Sequence, residues 1–316
     1  MTEQVVTAPP PTGRKALGAL RRAKRRTPSP WWGLLLTTPA LILVIGLFII
    51  PLGLMFWMSL NNWPLLGSPT FIGVKNYTRA FTSDSTFITS LEFTLIYTIV
   101  ITPILFIGGL LLAFLIRRPG RVSGFFRTIF FTPYVIGFAA ASFLWLWFVD
   151  PRVGPIAAVA SSLGVDLNQD NWLTEKWPAF FVVIVMVTWK VVGFHMVLLL
   201  SGLNGVPTDA LEAAQIDGAG WWRRLFSIIL PLMRPTVTMV LVFSISGSLL
   251  AFEQFFLITQ GRPSNQTMTT VYWIYNVSFT RFQLGYGAAL SVIMLALLLI
   301  VTMFQLRILR GKDDLD

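Results

Sequence analysis

The side chains best suited to chemistry in this sequence are a single histidine, two isolated charges inside apolar stretches and a short acidic loop. His195 has no second metal ligand near it in sequence, and the chain has no cysteine, so thiol nucleophiles and thiolate clusters are excluded. The sequence also lacks the G-x-x-x-x-G-K-[ST] loop that cradles nucleotide phosphates. We therefore predict no catalytic site, no metal site and no ATP hydrolysis by this chain, which we do not expect to be an enzyme.

The two isolated charges are Lys190 and Glu253, each of which interrupts a long apolar run. An ionised side chain at the centre of a bilayer costs at least ~2.5 kcal/mol, so such residues mark functional sites or buried pairs. We expect Glu253 and Lys190 to lie on a substrate path, with their neighbours Gln254 and Trp189 beside them. The alternatives are a purely structural ion pair between the two charges, or a Glu253 that sits in water near the outer mouth.

The apolar runs determine the fold class. Hydrophobic residues make up 55% of the chain and charged residues 12%, which is about half the charged share of a soluble domain. A bilayer core needs about 20 apolar residues in a helix, and helix satisfies every backbone group in lipid. The sequence therefore predicts an all-α, polytopic membrane protein with six transmembrane helices, over residues 33–58, 92–116, 126–149, 179–203, 236–259 and 284–308.

The basic residues predict the orientation of these helices. Of 24 Lys and Arg residues, 17 fall in the two tails and in the loops 117–127 and 204–235, whereas the three opposite loops hold six. The positive-inside rule then places both termini in the cytoplasm. Basic flanks at a membrane surface explain the net charge of +10 without nucleic acid. We predict a disordered basic tail (1–30), a transmembrane domain (31–310) with its cytoplasmic loop at 204–235, and a short C-terminal tail (311–316).

The loop 204–235 contains "EAAQIDGAGWWRRLFSIILPLMRP", residues 212–235. Pro207 suits a first helical turn, and a glycine at 218 suits a helix end, so we predict a short helix from about 207 to 217. Its alanines keep it slim, and Glu212 gives it an exposed carboxylate. An anionic, alanine-rich helix binds lipid poorly and fits a groove in a partner protein. The alternative is an amphipathic connector that lies on the lipid surface.

This stretch resembles the E-A-A-x-x-x-G-x(9)-I-x-L-P signature of permease subunits of binding-protein-dependent ABC importers. The matching residues, which include the family's D-G-A run, are Glu212, Ala213, Ala214, Asp217, Gly218, Ala219, Ile228, Leu230 and Pro231. "FIGVKNYTRAF" is similar to the F-x-G-x-x-N-Y element of sugar-type permeases, and "MTTVYWIYNVSFTRFQLGYGAALSVIM" is similar to their last outer loop and sixth helix. The resemblance covers most of residues 33–308 and is strongest to the carbohydrate and glycerol-phosphate type.

The resemblance implies a type I ABC importer permease fold in a bacterial inner membrane. It implies four kinds of partner: membrane lipids, a second homologous permease, two ATPase subunits that use ATP and Mg, and an extracytoplasmic substrate-binding protein. It assigns Glu212, Ala213, Ala214, Asp217, Gly218 and Ala219 to a coupling helix that docks on an ATPase. No cofactor is expected on this chain itself, and the implied cargo is a sugar, a polyol or a sugar phosphate.

Three other interpretations stay open at the level of sequence. A permease of the same class can carry a polyamine or phosphate instead of a sugar. A secondary transporter would be driven by an ion gradient, but six helices without inverted repeats fit that class poorly. A membrane scaffold or receptor without transport activity would also use a cytoplasmic docking helix.

Overall fold

The computed structural model of this protein describes residues 30–163 and 173–309. The predicted C-terminal tail and all but the last residue of the predicted N-terminal tail lie outside the described residues. The chain divides into two compact units, with the boundary between Leu54 and Met55.

The first unit is helical throughout its described part. Helix α1 (Pro30–Val44) continues through a π-helical segment (Ile45–Ile49) into α2 (Ile50–Ser59), which extends across the unit boundary. Its apolar side chains are exposed, as at Leu36, which fits a helix whose surroundings are lipid rather than water.

The second unit is built almost entirely from helices. A two-residue hairpin pairs β1 (Asn61–Asn62) with β2 (Thr70–Phe71) in antiparallel register. The helices that follow are α3 (Lys75–Thr82), α4 (Ser85–Leu115), α5 (Arg121–Val135), α6 (Phe138–Phe148), α7 (Pro155–Ser162), α8 (Lys176–Asn204), α9 (Thr208–Ile216), α10 (Trp221–Arg224), α11 (Leu230–Leu232), α12 (Arg234–Leu249), α13 (Thr270–Tyr275) and α14 (Leu284–Leu309). Three π-helical segments lie at Leu225–Ile229, Phe255–Thr259 and Asn276–Thr280.

Four stretches in the described residues are long and apolar enough to cross a membrane as single helices: Leu35–Ser59, Ser85–Leu115, Lys176–Asn204 and Leu284–Arg307. Two further pairs qualify only when taken together, and each pair is sharply bent. Arg121–Val135 and Phe138–Phe148 meet at 98°, and Trp221–Leu232 and Arg234–Leu249 meet at 81°. The all-α membrane class is therefore confirmed, with four spanning helices or six if each bent pair counts as one.

The prediction of a continuous third helix over 126–149 is wrong. The chain leaves helical geometry at Ile136 and Gly137, whose ψ values are 134° and 148°, and α6 starts in a new direction. Pro133 precedes this break and Gly137 lies in it, but membrane helices tolerate both residue types, so the apolar run is also compatible with an unbroken helix.

The prediction of a continuous fifth helix over 236–259 is also wrong. Helix α12 ends at Leu249, and residues 251 and 252 are not helical. The Ala251 carbonyl accepts a hydrogen bond from Thr269 Oγ at 2.6 Å, which satisfies a group that would otherwise be orphaned in a buried place. Glu253 therefore lies beyond the end of α12, at the start of a separate helical turn.

Helix α4 begins at a cap that joins four elements. Asp84 Oδ1 accepts from the Phe87 backbone N–H at 2.9 Å, as an N-cap residue does. Its Oδ2 accepts from Trp273 Nε1 of α13 at 2.9 Å and from the Tyr286 hydroxyl of α14 at 2.6 Å. The guanidinium of Arg79 in α3 stacks over the Tyr286 ring at 4.1 Å. One carboxylate thus fixes the ends of α4, α13 and α14 against each other.

Helices α4 and α8 form the centre of the second unit, and its buried apolar side chains pack around them in clusters. One cluster contains Phe93, Tyr97, Phe180 and Phe255, whose rings meet edge to face. A second cluster lies around the opposite half of both helices and includes Leu203, Leu225 and Met233. Gly109 permits the close approach of the two helices, because a Cβ there would lie 2.9 Å from His195 Cβ.

Candidate functional site

A cavity of about 380 Å³ lies between α4, the α5–α6 bend, α8 and α12. Its lining consists of Tyr97, Ile101, Leu105, Tyr134, Phe138, Val187, Val191, Phe194, His195, Phe243, Ser244, Gly247, Ser248 and Gln254. This volume falls at the small end of the range for ligand sites, which are mostly apolar with a few placed polar groups.

The polar groups of this cavity are only partly hydrogen-bonded. His195 Nδ1 lies 3.2 Å from the Val191 carbonyl, while its Nε2 is buried with no partner among the described residues. Ser244 Oγ is likewise buried and unpartnered, and Gln254 Nε2 reaches only the Tyr97 hydroxyl, at 3.5 Å. A buried polar atom without a partner costs about 1–3 kcal/mol, so this cavity holds unused capacity to bind hydroxyl or amide groups.

Aromatic rings form one wall of the cavity. The Tyr134 and Phe194 rings stack with centroids 4.5 Å apart and an interplanar angle of 6°, and Phe243 lies 5.9 Å from Phe194. Flat apolar faces beside hydrogen-bonding groups suit ligands that carry C–H faces and hydroxyl edges. The residues that line this cavity in the described part of the chain include no Lys or Arg.

Lys190 is buried, with 3% of its surface exposed, but it is not one of the residues that line the cavity. It donates to the carbonyls of Ile136 and, at 3.2 Å, of Tyr134, both at the α5–α6 bend. The neighbouring Trp189 is half-buried and packs at 6.1 Å from the Trp145 ring. Both residues therefore lie behind the cavity wall in this conformation.

The ion pair between Lys190 and Glu253, one of the alternatives above, does not form in this structure, although the carboxylate is near enough to attract the ammonium through space. Glu253 is exposed, while the adjacent Gln254 is buried and lines the cavity. Both residues lie in the helical turn that follows the break after α12, where neighbouring side chains point in different directions. Of the four residues predicted for a substrate path, the structure brings only Gln254 to the cavity.

A second candidate site is α9, which matches the short helix predicted from about 207 to 217. Its inner face consists of Ala214, which is buried, and Leu211, which packs against the second core cluster. Glu212, Ala213 and Ile216 are exposed, and Ile216 is 87% exposed. Residues four apart share a helix face, so an exposed isoleucine lies beside the Glu212 carboxylate.

Helix α9 ends in a Schellman motif centred on Gly218. The Ala219 N–H bonds to the Ala214 carbonyl at 2.9 Å, and the Gly218 N–H bonds to the Gln215 carbonyl at 3.1 Å. Gly218 has φ of +72°, a conformation that disfavours side chains with a Cβ. Open space surrounds the position, so the backbone angle rather than packing requires glycine there. Asp217 caps the helix and is exposed, and Ala219 is half-buried.

Several residues of these sites carry no signal that sequence reasoning could have used. His195 and Ser244 look like ordinary residues of apolar helices, and only their joint placement leaves their atoms unpaired. The F-x-G-x-x-N-Y element has a structural use: Asn76 Nδ2 donates to the Ser59 and Asn61 carbonyls at 2.9 and 3.1 Å. Tyr77 completes this tie through its hydroxyl, 2.6 Å from Ser59 Oγ.

Comparison with known proteins identifies the class of protein that carries these sites. Residues 106–312 match the family of binding-protein-dependent transport system inner membrane components, and the chain belongs to that family. It is therefore the membrane permease component of an ABC importer rather than an ATPase subunit. The secondary-transporter and scaffold interpretations are excluded.

Individual relatives cover nearly the full chain. It is 33% identical to the sn-glycerol-3-phosphate transport system permease protein UgpA of Agrobacterium fabrum, over 88% of this chain and 94% of that protein. It is also 33% identical to the sulfoquinovosyl glycerol transport system permease protein SmoG of the same organism, over 88% and 90%. In fold it is similar to a chain of a bacterial alginate ABC transporter crystallised with a periplasmic protein bound to alginate pentasaccharide, with a TM-score of 0.72 at 22% identity, over 89% of this chain and 93% of that chain.

Proposed function

We propose that this chain forms half of the translocation path of an ATP-driven importer for a sugar or a related polyol or sugar phosphate. A second homologous permease supplies the other half, and an extracytoplasmic binding protein delivers the cargo. The cavity between α4, α5, α8 and α12 is the proposed cargo site. The observation that carries this proposal is the presence of two buried, unpartnered atoms, His195 Nε2 and Ser244 Oγ, in a cavity walled by stacked rings.

The lining supports a carbohydrate cargo on chemical grounds. Imidazole, hydroxyl and amide groups pair with sugar hydroxyls, while Tyr134 and Phe194 offer faces for the C–H side of a ring. This half of the path offers no Lys or Arg to a phosphate or sulfonate, so we propose that it binds the neutral part of the cargo. A polyamine cargo would need carboxylates, whereas the described residues that line the cavity include no Asp or Glu, and Glu253 beside Gln254 is exposed.

The four path residues take different parts in this proposal. Gln254 touches cargo directly, and Glu253 stands at the adjacent surface, where the partner permease or water meets the path. Lys190 and Trp189 support the wall from behind.

We further propose that α9 docks on an ATPase subunit, through Glu212 and Ala213 on its exposed face and the Asp217-Gly218-Ala219 turn at its end, with Ala214 seating the helix on the permease. ATP and Mg are used by those separate subunits. The transmembrane domain (31–310) lies in the bacterial inner membrane among its lipids, and both termini are cytoplasmic.

The proposed cargo site is tested by blocking it. Because the native chain has no cysteine, Ser248→Cys places a single thiol in the cavity wall. We expect N-ethylmaleimide to abolish uptake of labelled maltotriose and sn-glycerol 3-phosphate by the reconstituted complex, whichever of these it imports. The matched control is Ser161→Cys, an exposed position on α7, where labelling should leave uptake intact. Full uptake after complete labelling of residue 248 would show that cargo does not use this cavity.

A further inference from the structure

We propose that Lys190 is a positioning residue that holds the α5–α6 bend and thereby places the aromatic wall of the cavity. This inference rests on the proposed function only in naming the cavity as the cargo path. The bend itself, and what fixes it, are properties of this chain alone.

The bend leaves backbone carbonyls without helical partners. Helix α5 stops at Val135, Ile136 and Gly137 are extended, and α6 starts at Phe138, so the last carbonyls of α5 have no N–H one turn further on. In lipid or in a protein core, each orphaned carbonyl carries a penalty. The Lys190 ammonium donates to two of them, at Tyr134 and Ile136.

The positive charge of Lys190, like its N–H donors, is stabilised at the end of α5. The C-terminal end of a helix carries partial negative charge, which attracts a cation. The ammonium also lies 4.4 Å from the centroid of the Phe138 ring and 5.5 Å from that of Tyr134, within the range of cation–π attraction. Carbonyls, helix end and ring faces together replace the carboxylate partner that a buried lysine usually needs.

The same bend shapes the cavity. Tyr134 lines it from the end of α5, and Phe138 lines it from the start of α6. One lysine therefore contacts both rings, and the Tyr134 ring stacks on Phe194 of the helix that carries this lysine. A change in the bend angle would move both rings and alter the width of the cavity.

A second contact fixes α5 one turn away along α8. A Cβ at Gly193 would lie 1.8 Å from the Phe130 carbonyl oxygen, so the two backbones touch there. Gly193 holds the body of α5 against α8, and Lys190 holds its end. With the helix body held in this way, loss of Lys190 frees the bend rather than the whole of α5.

The test measures the bend directly and needs no cargo. Spin labels on Val122→Cys and Trp147→Cys, both at exposed positions on the two arms, report the arm-to-arm distance by pulsed electron paramagnetic resonance in the purified permease pair. Lys190→Met keeps the length of the side chain but removes its charge and donors. We expect the distance distribution to broaden and to shift to longer values by about 3 Å or more. A partial opening of the angle between α5 and α6 separates two labels on helices of this length by about that much.

Controls separate positioning from a general loss of structure. Lys176→Met removes another lysine from α8, 14 residues away or about 21 Å along the helix, and should leave the distance unchanged. Lys190→Arg retains a charged donor and should restore the wild-type distance. If the methionine variant does not accumulate, Lys190→Gln carries the same measurement with the same expectation.

The reactivity of a thiol in the cavity lining measures whether the change in the bend also alters the cavity. We expect the N-ethylmaleimide reaction rate at Ser248→Cys to change about threefold or more when Lys190→Met is added, which corresponds to at least about 0.65 kcal/mol in the activation free energy, and to return to the original rate with Lys190→Arg. A wild-type distance and a wild-type reaction rate in the methionine or glutamine variant would overturn the proposal. So would a perturbation that arginine does not reverse. Neither result depends on whether labelling of Ser248→Cys blocks uptake. The proposal for Lys190 can therefore be refuted while the proposed cargo site stands, and the reverse also holds.

Discussion

Two of the buried side-chain atoms that lack hydrogen-bond partners among the described residues, His195 Nε2 and Ser244 Oγ, belong to the cavity lining. Many hydroxyls in the described helices bond to the carbonyl one turn back, as those of Thr94 and Thr98 do at 2.8 and 2.9 Å. The Ser244 hydroxyl makes no such hydrogen bond, so its oxygen is available to a ligand. A group that costs free energy when empty and gains it when filled is typical of a binding site rather than of a packed core.

This contrast predicts opposite effects of Ser244→Ala on stability and transport. Removing the unpartnered oxygen should leave the melting temperature of the complex unchanged or raise it, because the desolvation penalty disappears. The apparent KM for uptake should rise about two- to tenfold, the equivalent of one neutral hydrogen bond of about 0.5–1.5 kcal/mol. Thermal unfolding and initial uptake rates measure the two effects.

The matched control for Ser244→Ala is Thr102→Val. Thr102 Oγ1 is also buried and unpartnered, but it does not line the cavity. This variant should show the same tolerance in stability and a wild-type KM. Equal KM changes in both variants would mean that the cavity has no special part in uptake.

Sequence reasoning found some of these residues and could not find others. Lys190 and Gln254 were identifiable because a charge in an apolar run, and the neighbour of one, are unusual in any membrane helix. At the break after α12, the Ala251 carbonyl accepts a hydrogen bond from Thr269, which lies 18 positions further along the chain and could not be paired with it from local sequence. The partner of Lys190 is a helix end 54 positions earlier, and no local pattern in the sequence marks it.

Helix α9 is the element whose form follows most directly from its sequence. Pro207 immediately precedes its first residue, alanines fill its body and Gly218 closes it, and each of these is a local signal. The two bends at 98° and 81° differ in this respect. Pro231 and Pro235 mark the second bend in the sequence. Pro133 lies near the first, whose carbonyls also accept hydrogen bonds from Lys190 of another helix, a contact that no local pattern predicts.

The Schellman turn predicts that Gly218 is needed for docking although it touches nothing. Gly218→Val should strain the φ of +72° and tilt or unwind the end of α9, because a β-branched residue resists the left-handed region. We expect reduced co-purification of the ATPase with the permease pair, while the pair itself assembles normally. The control is Gly220→Val, where φ is −61° and no atom lies within 4 Å, and the ATPase should be recovered there at the wild-type level. Equal recovery in both variants would mean that the turn has no part in docking.

The exposed carboxylate of α9 predicts a separate electrostatic effect. Glu212→Arg should weaken docking more than Glu212→Ala does, and if the carboxylate meets a partly desolvated cation on the ATPase the loss is about 2–5 kcal/mol. ATP hydrolysis stimulated by the loaded binding protein measures the coupling. Glu175→Arg applies the same charge change at an exposed position that we place on the external face, and stimulation should survive it. Undiminished stimulation in Glu212→Arg would show that α9 is a passive connector.

The arrangement of the whole chain in the membrane follows from its charge asymmetry. Arg118 lies between α4 and α5, Arg121 is the first residue of α5, Arg223 and Arg224 lie in α10, and we place all four on the cytoplasmic face. A reporter fused after Asp316 should therefore be active in the cytoplasm, and one inserted at Ser161 should be external. Three crossings lie between these two points if the second bent pair is one span. Reporters on the same side of the membrane would require an even number of crossings there and would contradict counting that pair as a span.

The most direct test of the transport mechanism is uptake by the complete reconstituted importer. Proteoliposomes should contain this permease, its partner permease and the ATPase subunits, with ATP and Mg inside and the binding protein outside. We predict accumulation of the labelled cargo that requires both ATP and the binding protein and that falls in Glu212→Arg, while this permease still inserts and assembles with its partner permease. Uptake that proceeds without ATP, or that this permease and an ion gradient support alone, would contradict the account.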